Sequence, residues 1–208
     1  MFVLIPLVIF LIFVAVLNIA IRKNDYAQQD VEQRFWDREQ KANFTRRKDI
    51  SSLDYLTIPV EKIPQNLHTD AENALVRLTE CRMLNLTGKT NTDLKLEYGA
   101  ANLDELSKYD DNFSEFVQNV TIYAKELLEA DQKDDARALL ELAVSYHADA
   151  STIYTMLADL YLEAGETGQI ESLVKSAEEI NSLSKNIIIN KLNTYLAPAE
   201  ASADEKTE

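Results

Sequence analysis

Tyr154, Leu157, Ala158 and Tyr161 share one helical face, and thirty-four residues upstream stand Val120, Tyr123, Ala124 and Leu127, again large, large, small, large. The same shift carries Ala136 to Ile170, Leu140 to Val174 and Ala143 to Ala177. Side chains spaced at i, i+3, i+4 and i+7 fall on one side only of a chain wound at about 3.6 residues per turn, so both copies predict helices. A lone helical hairpin cannot bury its apolar face, and a recurrence of this length therefore predicts hairpins stacked side by side. The first copy pairs residues 113–130 with 134–146, and the second pairs 151–164 with 168–180. Alanines at the crossing points permit close approach, while the large residues fill the remaining gap. Residues 184–197 continue the register through Ile188, Leu192 and Tyr195 and are expected to form a capping helix.

The rest of the chain is also expected to be helical: glycine and proline number four each, too few to punctuate a sheet. An all-α fold follows. Thr69 and Glu72 have the spacing of a capping box, so a helix should start there. Its stripe includes Leu75, Leu78 and Cys81, with Val76 and Met83 on a second face, and Gly88 marks its end. A second helix is expected over 91–109, carrying Leu96, Ala100, Leu103 and Leu106 and closed by Asp110, Asp111 and Asn112; together they make a helical pair over 69–110. Ahead of this pair, residues 46–68 read as an extended linker, because Ile58 and Ile63 each precede a proline. Its apolar teeth, Ile50, Leu53, Tyr55, Leu56, Ile58, Val60 and Ile63, are expected to lie along the helical domain; a strap for another protein is the alternative. Residues 198–208 are acidic and poor in large side chains and should be disordered.

Residues 1–21 carry no charged side chain, and as a helix they would reach about 31 Å, the thickness of a hydrocarbon core. A cleaved signal peptide needs a basic start and small residues before the cut, but no Lys or Arg precedes the run, and Asn18 stands where a small residue is needed if cleavage followed Ala20. A single transmembrane anchor is therefore expected. Residues 22–45 form a polar stalk, with Ala27, Val31, Phe35 and Ala42 near helical spacing. Over 22–48, eight Lys or Arg oppose five Asp or Glu. Basic flanks stay on the cytoplasmic side, which places the N-terminus outside and the C-terminal domain in the cytoplasm. The N-x-S/T sequons at Asn43, Asn85, Asn112 and Asn119 would matter only on the opposite side and read as coincidence.

Formal net charge is -14, and from Asp49 onward thirteen basic residues face thirty acidic ones. Such a body repels phosphate backbones, so no nucleic-acid partner is expected. Cys81 is the single cysteine, which removes any internal disulfide or thiolate cluster. His68 and His147 stand in separate elements without metal-ligand spacing, and Gly165 and Gly168 lack the strand and lysine of a phosphate loop. Neither a metal, a cofactor nor a catalytic residue is expected.

On the residues quoted above, the stretch 117–182 resembles the tetratricopeptide repeat, a thirty-four-residue helix-turn-helix unit. Ala124 and Ala158 replace the usual glycine of its first helix; Ile170 stands where a small residue is usual, and the closing proline is missing. The resemblance implies an α-solenoid of antiparallel helix pairs that binds a protein or peptide in a groove lined by its first-type helices. Carried over by position, the groove residues are Gln118, Thr121, Lys125 and Leu128, with Thr152, Thr155, Asp159 and Leu162 as their equivalents. The lysine-asparagine clamp with which one subgroup grips chaperone tails is absent. The expected function is a membrane-anchored adaptor or scaffold. The alternatives are an extracytoplasmic assembly or folding factor for envelope proteins, or an accessory subunit whose span makes the main contact.

Overall fold

A computed structural model describes residues 4–197, without the side chains of residues 4–7, 24, 25 and 27. The acidic tail expected over 198–208 lies outside the described residues. The described residues form eight α-helices: α1 (Leu4–Asn43), α2 (Asp70–Leu78), α3 (Asn91–Tyr98), α4 (Leu103–Glu129), α5 (Lys133–Ser145), α6 (Ser151–Glu163), α7 (Thr167–Glu178) and α8 (Lys185–Leu196). Two short 3-10 turns, Val60–Lys62 and Ala100–Asn102, complete them. The all-α expectation is met: among the described residues there is no strand, only an isolated antiparallel bridge between Leu56 and Met83. The chain divides into two units, one of residues 1–49 with 90–103, the other of 50–89 with 104–208.

In the first unit α1 is one continuous helix, so the apolar run and the polar stalk share a single rod. Among the described residues no helix is long and apolar enough to cross a membrane. The span expected over 1–21 is thus not supported there, since described side chains begin only at Val8. From Val8 to Ile21 the large apolar side chains are 47–67 % exposed, except half-buried Val14. The last turns of α1 hold α3 through polar groups: Arg38 pairs with Asp93, and Glu39 accepts from Thr92 and from Lys95. Thr90 and Asp93 form a complete capping box at the start of α3. Buried Asn102 binds the Lys48 and Tyr98 carbonyls, each at 2.8 Å, and accepts from Arg47. The helix expected over 91–109 is broken at Gly99. Its φ of 93° suits glycine, and a Cβ there would come within 2.4 Å of the Arg46 carbonyl oxygen.

In the second unit α4 runs through Asp110, Asp111 and Asn112, which do not close a helix as expected. The reason is tertiary: Asp110 accepts from the Leu86 amide at 3.0 Å, and Asn112 donates to the Arg82 carbonyl at 2.9 Å. Polar side chains that usually compete with their own helix are thus engaged by another segment. Tyr109 and Phe113, one turn apart, are buried beside them. Likewise α2 ends at Leu78 rather than near Gly88, and Met83 lies beyond it, bonded through its carbonyl to the Leu56 amide. The linker teeth Ile58 and Ile63 are buried in the core of this unit and Ile50 is also buried, while Val60 is exposed.

Of the matched repeat positions, Val120, Tyr123, Ala124, Leu127, Tyr154, Leu157, Ala158 and Tyr161 are all buried, as are Ala136, Leu140, Ala143, Ile170 and Ala177; Val174 is half-buried. The turns repeat as well. Asp131 and Gly165, thirty-four residues apart, both take positive φ (58° and 72°). The following amides, of Gln132 and Glu166, each bond back at 2.8 Å to the Leu127 and Tyr161 carbonyls. Lys133 near the start of α5 meets Glu163 at the end of α6, so these two helices run antiparallel. By contrast, α8 follows the direction of α6, with Lys191 on Ser151 and Tyr195 on Asp159.

Candidate functional site

The groove residues divide once placed. Gln118 and Thr121 lie one turn apart on α4 and line a cleft of about 280 Å³ with Thr87, Phe113, Ser114, Val117, Asp149 and Ala150. Phe113 and Val117 are buried and form the floor; Thr87, Ser114, Gln118 and Thr121 supply a polar rim. Further along α4, Lys125 is exposed and Leu128 packs half-buried against the core. On α6, Thr155 spends its hydroxyl proton on the Thr152 carbonyl at 3.1 Å, and Leu162 is 49 % exposed. Asp159 accepts from the Tyr195 hydroxyl at 2.8 Å and so is joined to α8. The same carboxylate, after burial, raises the Tyr195 pKa to about 12.

Asp149 and Thr87 belong to the cleft but were not marked by the repeat pattern. Asp149 precedes α6, where the register carries no apolar signal. Thr87 comes from a loop held by two contacts: Leu86 on Asp110, and the Asn85 side chain on the Tyr146 and His147 carbonyls. Burial pushes the Asp110 carboxyl above its ordinary range, and the charges of Asp111 and Asp149 add to that effect against the Leu86 hydrogen bond.

Two other polar clusters are structural in their connections. Glu72 is buried and accepts from the Leu67 and His68 amides, at 2.9 and 2.8 Å, and from the Tyr123 hydroxyl at 2.8 Å. Burial alone would raise the Glu72 pKa; the Tyr123 hydroxyl and the two amides outweigh it and hold it below the usual value. The capping box expected at Thr69 is therefore half formed. Thr69 accepts from the Glu72 amide, but the Glu72 carboxylate reaches past Thr69 to the loop before it. His68 sits in that loop at φ 55°, and His147 follows the end of α5 at φ 56°. In the second cluster Arg137 forks across Glu166, bonds Glu141, and lies over the Tyr161 ring at 4.8 Å. A second cleft, about 480 Å³, lies between the Val60–Lys62 turn and α5, lined by Glu61, Lys62, Asp135 and Glu141 among others. Among the described residues no group of three or more His, Cys, Asp or Glu is placed to hold a metal ion.

Comparison with family models, with curated proteins and with solved structures finds no match for this chain.

Proposed function

We propose that the chain is a membrane-anchored, tetratricopeptide-like adaptor that binds a segment of another protein in the cleft at Gln118 and Thr121, on the cytoplasmic face. What supports it most directly is the pairing, in one chain, of an exposed apolar helix with a polar-rimmed cleft on stacked helices. The large apolar side chains left exposed along most of residues 8–21 carry a large hydration cost in water, which a bilayer removes. The sequence run extends this stretch to residue 1 without a charge. Its one strongly polar side chain, Asn18, donates to the Val14 carbonyl at 3.1 Å, the kind of internal bond a hydrocarbon environment requires. Arg22 and Lys23 then stop the run and set the orientation. Confinement to a membrane surface raises the local concentration of the cleft toward membrane-bound partners.

The test is protease accessibility in sealed vesicles of known sidedness. In inverted vesicles added protease should remove residues 46–208 and leave a carbonate-resistant fragment of α1. Protection in inverted vesicles with digestion in right-side-out ones would replace this reading by that of an extracytoplasmic assembly factor. Complete release by carbonate would remove the anchor.

A further inference from the structure

We propose that the cleft at the start of α6 takes the ammonium or guanidinium group of a lysine or arginine on an extended partner segment, with Asp149 as counter-ion; this rests on the adaptor reading and specifies its partner.

The cleft is small. Drug-sized ligands occupy sites of about 300–1,000 Å³, whereas about 280 Å³ is available here, enough for one side chain. Every polar side chain around it can accept a hydrogen bond, and the one charged group among them is negative. Thr121 gives its hydroxyl proton to the Val117 carbonyl at 2.9 Å, so its remaining lone pairs face outward as acceptors. Gln118 contributes an amide, which can accept as well as donate, and Asp149 a carboxylate. An acceptor-rich pocket over an apolar floor suits a group that carries several N–H donors on an aliphatic stem, which lysine and arginine supply.

Asp149 is also uncompensated. Neither Asp149 nor Asp110 forms an ion pair among the described residues, and the charge of Asp149 opposes ionisation of Asp110 and of buried Tyr154. The Tyr154 hydroxyl is buried without a hydrogen-bond partner, so it does not quench the carboxylate from behind. Across residues 104–166 fifteen acidic side chains face four basic ones. Two of those four, Lys133 and Arg137, are already paired with glutamates. Lys191 of α8 donates to Ser151, two residues from Asp149, at 3.2 Å, yet the balance of this stretch stays strongly acidic; it attracts cations from a distance, and the cleft gives one of them a seat. A metal ion fits poorly, since calcium takes about six to eight oxygen ligands and no three candidate ligand side chains converge among the described residues.

The experiment presents a positional-scanning library of 12-residue peptides to the full-length chain in detergent micelles, followed by titration of the selected peptides. Lysine or arginine should be selected at one position, and replacing it with norleucine should weaken binding by about five-fold, the size expected of a partly exposed ion pair. Asp149→Asn should show the same loss. Glu171→Gln, which removes an equal charge from the exposed face of α7, should show none. Selection with no cationic preference, no binding at all, or equal losses in the two variants would overturn the proposal. Tight selection of neutral or acidic peptides would overturn it while leaving the adaptor reading in place. Protease accessibility tests the anchor separately.

Discussion

The two units of this chain are held by different physics. In the unit of α1 and α3 the buried residues among those described are few, Ala42, Leu94, Gly99 and Asn102, and the joins are ion pairs and hydrogen bonds. In the unit of α2 and α4–α8, Tyr123, Tyr154, Phe113 and Phe116 join a continuous leucine and isoleucine core. The first is specified by geometry at a few polar atoms, the second by summed apolar area. Polar joins tolerate exposure but fail when one partner is removed; an apolar core tolerates polar change at its rim but fails when hollowed.

Removing core volume should have the largest effect. Leu140→Ala, at a fully buried site on α5, is expected to destabilise the second unit by about 2–5 kcal/mol, measured by urea denaturation in micelles. Hydrogen exchange in α3 should change little. Next comes Asn102→Ala, which leaves two carbonyls of the first unit without their buried donor at a cost of about 1–3 kcal/mol, read as faster exchange in α3 with α5 and α6 unaffected. If both substitutions loosened both units equally, the contrast would be lost.

Acid sharpens the comparison through Glu72. Its folded pKa lies below its unfolded value, so its contribution is fully present above the ordinary carboxylate range and disappears as pH falls through the folded value. The wild-type chain should therefore lose stability below about pH 4.5 more steeply than Glu72→Gln, in a pH-jump denaturation series. The two repeat turns give the smallest effect. Asp131 occupies the left-handed position that Gly165 fills in the next copy, so Asp131→Gly should shift stability by no more than about 1 kcal/mol, seen as a small change in denaturation midpoint.

The same contrast explains what could be read from the sequence. Ala124 and Ala158, with the large residues around them, announced helices that bury one face, because an apolar pattern reports its own packing. The break at Gly99 was not legible, because the stripe through Leu96, Ala100 and Leu103 runs straight across it. The continuation of α4 through Asp110 and Asn112 was not legible: their partners, Leu86 and Arg82, are loop residues far back in the chain. Asp149 was hidden for a related reason. It sits outside the repeat register, and only folding brings it beside Gln118, Thr121 and Thr87. The register also could not show that Asp159, carried over as a groove residue, accepts from Tyr195 of α8.

The most direct measurement is photo-crosslinking in native membranes, with a photoreactive residue at Gln118 and, as control, at Ser172 on the exposed face of α7. A discrete protein adduct from Gln118, absent from Ser172 and recovered in the carbonate-resistant fraction, is the expected result. Indistinguishable adduct patterns from the two positions, or a chain that washes from the membrane, would contradict a tethered adaptor working through this cleft.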